Sequence, residues 1–190
     1  TSLEVCEGQE YDVAFETMTS VSEEAYLKMI QYKTAVLVAA ALKMGALIAQ
    51  SSEEVASLLY DFGIALGTAF QIQDDYLDAF GDAASFGKQV GGDIIENKKT
   101  YLVIKLQELG NQEQQKALSR WFEVNDADQN TEKVNAVKQL FQESGAADAT
   151  RNAVKEYTLR SQNILESLEE KQVNTTDLKA FSEALLFRSL

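Results

Sequence analysis

Residues 51–80 read SSEEVASLLYDFGIALGTAFQIQDDYLDAF, and this stretch decides the fold class. Ser51 with Glu54 three residues on has the form of a capping box, which opens a helix. From there Leu58, Leu59, Phe62, Leu66, Ala69, Phe70 and Leu77 recur at helical spacing. That spacing predicts one core-facing stripe on a helix running to about Phe80. Upstream, Ser20 with Glu23 repeats the signature and predicts a helix over about 22–50, with Ala25, Met29, Tyr32, Val36, Ala39 and Ala40 on its apolar face. Leu3 to Phe15 also reads as helix. Downstream the pattern breaks from Gly81 to Asn97, the one long loop candidate, and a helix resumes near Lys98. Amphipathic segments follow over about 112–124, 131–144, 148–168 and 176–190. Proline is absent, strand-like alternation is scarce, and no linker or repeat divides the chain. One all-α domain over residues 1–190 is the expectation.

Of the 190 residues 45% are hydrophobic, and 30 acids against 17 bases give a net charge of -13. Phosphate backbones are bound by clustered Lys and Arg, so this excess of acids argues against nucleic acid as a partner. Histidine is absent and Cys6 stands alone, which removes His-based triads, His-ligated zinc, disulfide frameworks and cysteine clusters. The longest apolar run, Ala35 to Leu42, is too short to span a bilayer, and no secretory pattern opens the chain. The cytoplasm is the expected compartment, and the start at Thr1 within a helical pattern suggests a processed or truncated chain.

Chemistry must then come from carboxylates, lysines, hydroxyls, amides or a metal ion. Gln71, Asp74 and Asp78 stand at i, i+3 and i+7 on one helix face, with Asp75 about a quarter turn away. Like charges so placed repel, and a divalent cation held by one or two carboxylates together with substrate phosphates relieves them. A solvated acidic face is the plainer alternative, but Phe70, Ile72, Leu77 and Phe80 set this cluster in an apolar helix. Lys88 follows in Phe86-Gly87-Lys88, before Gly91-Gly92-Asp93 and Asn97-Lys98-Lys99-Thr100. Small residues let a loop approach an anion, and lysine supplies a point charge for phosphate oxygens; an ordinary glycine loop stands as the alternative. Lys33 and Thr34 interrupt an apolar helix, where the lysine either snorkels to water or faces an anionic ligand. Gly8-Gln9 and Asp12 add polar groups, with capping or packing as alternatives. Gly63 and Gly67, with Gly45 nearby, read as a close helix contact without chemistry.

Taken together, Phe70-Gln71-Ile72-Gln73-Asp74-Asp75-Tyr76-Leu77-Asp78, the Gly-Lys loop, Asn97 to Thr100, Gly8 to Asp12 and Lys33-Thr34 resemble the second aspartate-rich region and its companions in trans-isoprenyl diphosphate synthases, the polyprenyl synthetase family. The resemblance covers about residues 1–105. It implies an antiparallel helical bundle of the isoprenoid synthase fold, usually homodimeric, in which Mg2+ draws off an allylic diphosphate and isopentenyl diphosphate attacks the resulting cation. It implies metal ligation by Asp74, with Asp78 in support and Asp75 counted beside them. Lys33, Lys88 and Lys98 would hold diphosphate, and Thr34 and Gln71 would turn oxygen dipoles towards the cation. The first aspartate-rich motif is missing, so the chain is expected to be the C-terminal portion of one such domain, lacking its N-terminal helices. The alternatives are a non-catalytic or regulatory subunit of a heteromeric synthase, or a helical interaction module.

Overall fold

A computed structural model describes residues 1–81 and 90–186, and among these there is no strand. The helices are α1 (Ser2–Thr17), α2 (Glu23–Ile30), α3 (Val36–Ile48), α4 (Glu53–Phe80), α5 (Gly92–Ile95), α6 (Tyr101–Leu109), α7 (Gln112–Phe122), α8 (Asn130–Glu143), α9 (Ala146–Glu170) and α10 (Thr176–Leu186). A π turn, Gln31–Ala35, joins α2 to α3 without a break. The serine caps fall one or two residues later than the sequence suggested. Ser22 Oγ accepts from Ala25 N, and Ser52 Oγ accepts from Val55 N. Part of the expected loop is helical, since Gly92–Ile95 forms one short turn of helix.

Contacts divide the described residues into two compact units, one of residues 1–13, 27–71 and 153–186, the other of residues 14–26, 72–81 and 90–152. In the first, Val55, Phe62 and Leu66 of α4 pack with Leu165 and Leu168 of α9, and Leu178 and Leu185 of α10 close over them. Gly63 and Gly67 allow α4 to meet the helix beside it: a Cβ at either would lie 2.5 and 2.7 Å from the Cα of Ala39 and Ala35. Gly45 plays no such part, because a side chain there would meet open space. In the second unit, Tyr76, Leu77 and Ala79 of α4 pack with Leu102 and Leu106 of α6, Leu118 of α7 and Val137 and Phe141 of α8.

From Phe62 to Ala79, α4 is buried on nearly all sides, which explains an apolar content beyond a single stripe. It is the one described helix long and apolar enough to cross a membrane by length and composition, and more than half of its apolar window is buried within the protein.

Three described helices end in a left-handed residue other than glycine. Gln50, Asn97 and Gln172 adopt positive φ of 56°, 57° and 62°. After each, the next residue's N–H bonds back to the carbonyl five residues earlier, as in Ser51 to Ala46, Lys98 to Asp93 and Val173 to Leu168. These are Schellman caps.

Candidate active site

The π turn sets the first group of polar side chains. Ile30 and Ala35 are both buried, five residues apart. A regular helix would return to the core after three or four residues and carry Lys33 or Thr34 inward. The extra residue of the π turn leaves both half-exposed instead, the kind of local widening often found at functional positions. α1 lies directly against this turn. A Cβ on Gly8 would sit 2.3 Å from Lys33 N, so no larger residue fits without moving backbone. One turn along α1, Asp12 Oδ2 meets Lys33 Nζ at 2.5 Å. Thr34 Oγ1 donates to Gln71 Oε1 at 3.3 Å, which leaves the lone pairs of the hydroxyl available to a ligand.

The C-terminal end of α4 sets the second group. Asp78 is buried, and its Oδ2 accepts from Asp93 N at 3.0 Å while its carbonyl accepts from Gly91 N at 2.6 Å. These bonds bring Asp93 beside Asp78. Burial, then the charge of Asp93, push the Asp78 carboxyl up to about 6; the Asp93 N–H bond and Lys98 oppose this, and Asp74 adds to it. Lys98 Nζ is shared by Asp93 at 2.8 Å and Glu96 at 2.9 Å. Burial alone would lower the Lys98 ammonium, but these partners raise it on balance. Lys88 lies outside the described residues.

Asp75, expected beside Asp74 and Asp78 as a metal ligand, has protein partners at one carboxylate oxygen. It is buried, and its Oδ2 accepts from Tyr26 OH at 2.5 Å and from Tyr101 N at 2.8 Å. Thr100, the N-cap of α6, makes no side-chain cap, so Asp75 supplies the acceptor that the first N–H of α6 requires. Its charge also helps to push the Tyr26 phenol well above its ordinary value, after burial itself. The Tyr101 hydroxyl in turn donates to Glu23, which also pairs with Lys105 at 2.5 Å. The quarter-turn offset from Asp74 and Asp78 thus gives Asp75 a structural task.

Among the described residues, no three His, Cys, Asp or Glu side chains gather into a set that would hold an ion unaided. The donor chemistry nonetheless fits a hard, oxygen-ligated divalent cation. Burial first, then the charges of Asp93 and Asp74, push the Asp78 carboxyl up, and such ions are held by one or two carboxylates completed by phosphate and water oxygens.

Sequence reasoning noted Asp12 and Asp93 without giving them partners. It missed Tyr26 and Lys133 altogether; Tyr26 sits within a helix pattern and carries no local signal. Lys133 breaks an apolar spacing between Asn130 and Phe141, and that was the available clue.

A family model described as Polyprenyl synthetase matches residues 1–142. The chain is 37% identical over 168 residues to the short chain isoprenyl diphosphate synthase of Methanothermobacter thermautotrophicus, covering 88% of this chain and 50% of that protein. It is 33% identical over 189 residues to the geranylfarnesyl diphosphate synthase of Natronomonas pharaonis, covering 100% and 53%. The crystal structure of a geranylgeranyl pyrophosphate synthase superposes with a TM-score of 0.88 at 47% identity, over 99% of this chain and 58% of that one. The geranylgeranyl pyrophosphate synthetase of Pyrococcus horikoshii Ot3 gives 0.86 at 28% identity, over 99% and 56%. The chain spans about half the length of the curated relatives it matches.

Proposed function

Because the chain belongs to the polyprenyl synthetase family and has its all-α isoprenoid synthase fold, we propose that the protein it comes from is a Mg2+-dependent cytoplasmic prenyltransferase. It would join isopentenyl diphosphate to an allylic diphosphate, working as a homodimer. The observation that carries this reading is the crowding of Asp74 and Asp93 on buried Asp78, which leaves negative charge for a cation to compensate.

Asp74 and Asp78 would hold the metal, which when bound neutralises the leaving diphosphate. Lys33 would exchange Asp12 for a diphosphate oxygen, a swap that keeps its ammonium paired throughout. Lys98 would turn from Asp93 and Glu96 towards a diphosphate oxygen, and Lys88 would add positive charge. The Gln71 amide holds the Thr34 hydroxyl proton, so the hydroxyl oxygen, rather than its proton, would face developing positive charge. Apolar helix faces would exclude water that otherwise quenches such charge.

The test feeds isopentenyl diphosphate and allylic diphosphates of increasing length to the complete protein with Mg2+. Elongated product that disappears on chelation is expected, and its length identifies the acceptor. No product from a folded complete protein would replace this reading with a non-catalytic subunit. Partner binding weakened by salt and indifferent to Mg2+ would replace it with an interaction module.

A further inference from the structure

Lys133 lies one turn into α8 and is 1% exposed, among the largest fully buried side chains described. Its position is unfavourable twice over, because burial costs a charge its hydration and the start of a helix repels a cation. Burial accordingly pushes the Lys133 ammonium down. No carboxylate pairs with it among the described residues. Its Nζ instead donates to Asn97 Oδ1 at 2.7 Å, Val124 O at 3.1 Å and Ile95 O at 3.3 Å. Three acceptors match the three N–H bonds of an ammonium, whereas a neutral amine has two.

Those acceptors share a location. Ile95 ends α5, Asn97 is the positive-φ residue of its Schellman cap, and the same cap bonds Lys98 N to Asp93 O at 3.0 Å. Asp93 N then reaches Asp78 Oδ2. Val124, just past the end of α7, anchors the other side of the ammonium.

We propose that Lys133 is a positioning residue for the acidic site: its buried ammonium fixes the turn at Asn97 and so holds Asp93 and Lys98 in register with Asp78. This rests on reading that site as a metal and diphosphate centre. The residue touches neither ligand and acts through Asn97 and Ile95.

The test uses the complete protein carrying Lys133→Met, which retains length and bulk, and Asn97→Gly, which retains the backbone cap but removes the Oδ1 acceptor. Amide hydrogen exchange, Mn2+ binding followed by electron paramagnetic resonance, and steady-state kinetics are measured on each. Lys133→Met should speed exchange across residues 92–98 by about tenfold or more, the loss of a charged hydrogen bond, while amides of α4 and α9 keep their protection. Mn2+ affinity should fall several-fold, with the metal concentration for half-maximal rate rising in step, and Asn97→Gly should give a weaker version of both. Exchange that quickens everywhere together would make Lys133 a packing residue and overturn the proposal. So would local quickening with unchanged Mn2+ binding. A wild-type protein that binds Mn2+ but turns over no substrate would count against the prenyltransferase reading alone, and the exchange and Mn2+ measurements would still decide the role of Lys133.

Discussion

The π turn and the acidic end of α4 are both polar places in apolar helices, and they differ in charge balance. At the π turn Lys33 meets Asp12 and Thr34 meets Gln71, so each group already has a partner of opposite character. At the end of α4, Asp78 shares its surroundings with Asp93 and Asp74, with Lys98 in partial compensation. The first region is a set of matched pairs. The second carries an excess of negative charge.

Asp74→Ala tests the acidic region most sharply. Turnover of the complete protein should fall about a thousandfold, the several kcal/mol that a bound metal contributes, with little change in thermal unfolding. Normal turnover would remove Asp74 from the site. Lys33→Ala should cost about a hundredfold in kcat/KM for the allylic diphosphate; an effect confined to stability would mean that the pair with Asp12 is structural. Gly8→Val should destabilise by about 2–3 kcal/mol through overpacking against the π turn, read as a lower midpoint in denaturant.

Asp75→Ala should lose about 2 kcal/mol by leaving Tyr101 N and Tyr26 OH without their acceptor, whereas Asp78→Asn should stabilise the metal-free protein by removing a buried charge and its repulsion from Asp93. If both destabilise alike, the two carboxylates are doing the same job. The smallest effect is in pH. Asp78 is raised from 3.8 to about 6 in the folded state, so the folded protein binds its proton more tightly than the unfolded chain. Its contribution to metal-free stability should be whole below about pH 4 and fall as pH rises through about 6. Cation affinity should run the opposite way, weakening below about pH 6 as the proton competes, and Asp78→Asn should flatten both profiles.

The helices were legible because their apolar spacing is a local property, and α4 ends at Phe80 as its pattern indicates. The helix before it was legible in extent but not in face. Tyr26, Ile30 and Ala35 carry its core along with Met29 and Val36, because the π turn rotates the stripe by one residue and no residue type announces that. Helix ends were obscured by Gln50, Asn97 and Gln172, which take the left-handed cap position usually left to glycine. The aspartates of α4 were visible as a row, but Asp75 and Asp78 differ only in what packs against them. Asp75 faces the start of α6, and Asp78 faces the backbone of Asp93. Lys133 was hidden for the same reason, since a lysine near the start of an amphipathic helix ordinarily points to water.

The sequence by itself determined the all-α class, the long apolar helix and the set of residue types available for chemistry, because composition and periodicity act over one or two turns. Tertiary structure decided which carboxylate caps a helix and which has its carboxyl pushed up by burial and neighbouring charge, that Lys33 and Thr34 escape the core, and that a lysine is buried beneath the acidic turn. Those outcomes depend on groups from 15 to 38 residues away in the chain, whose dipoles and charges meet only when the helices pack.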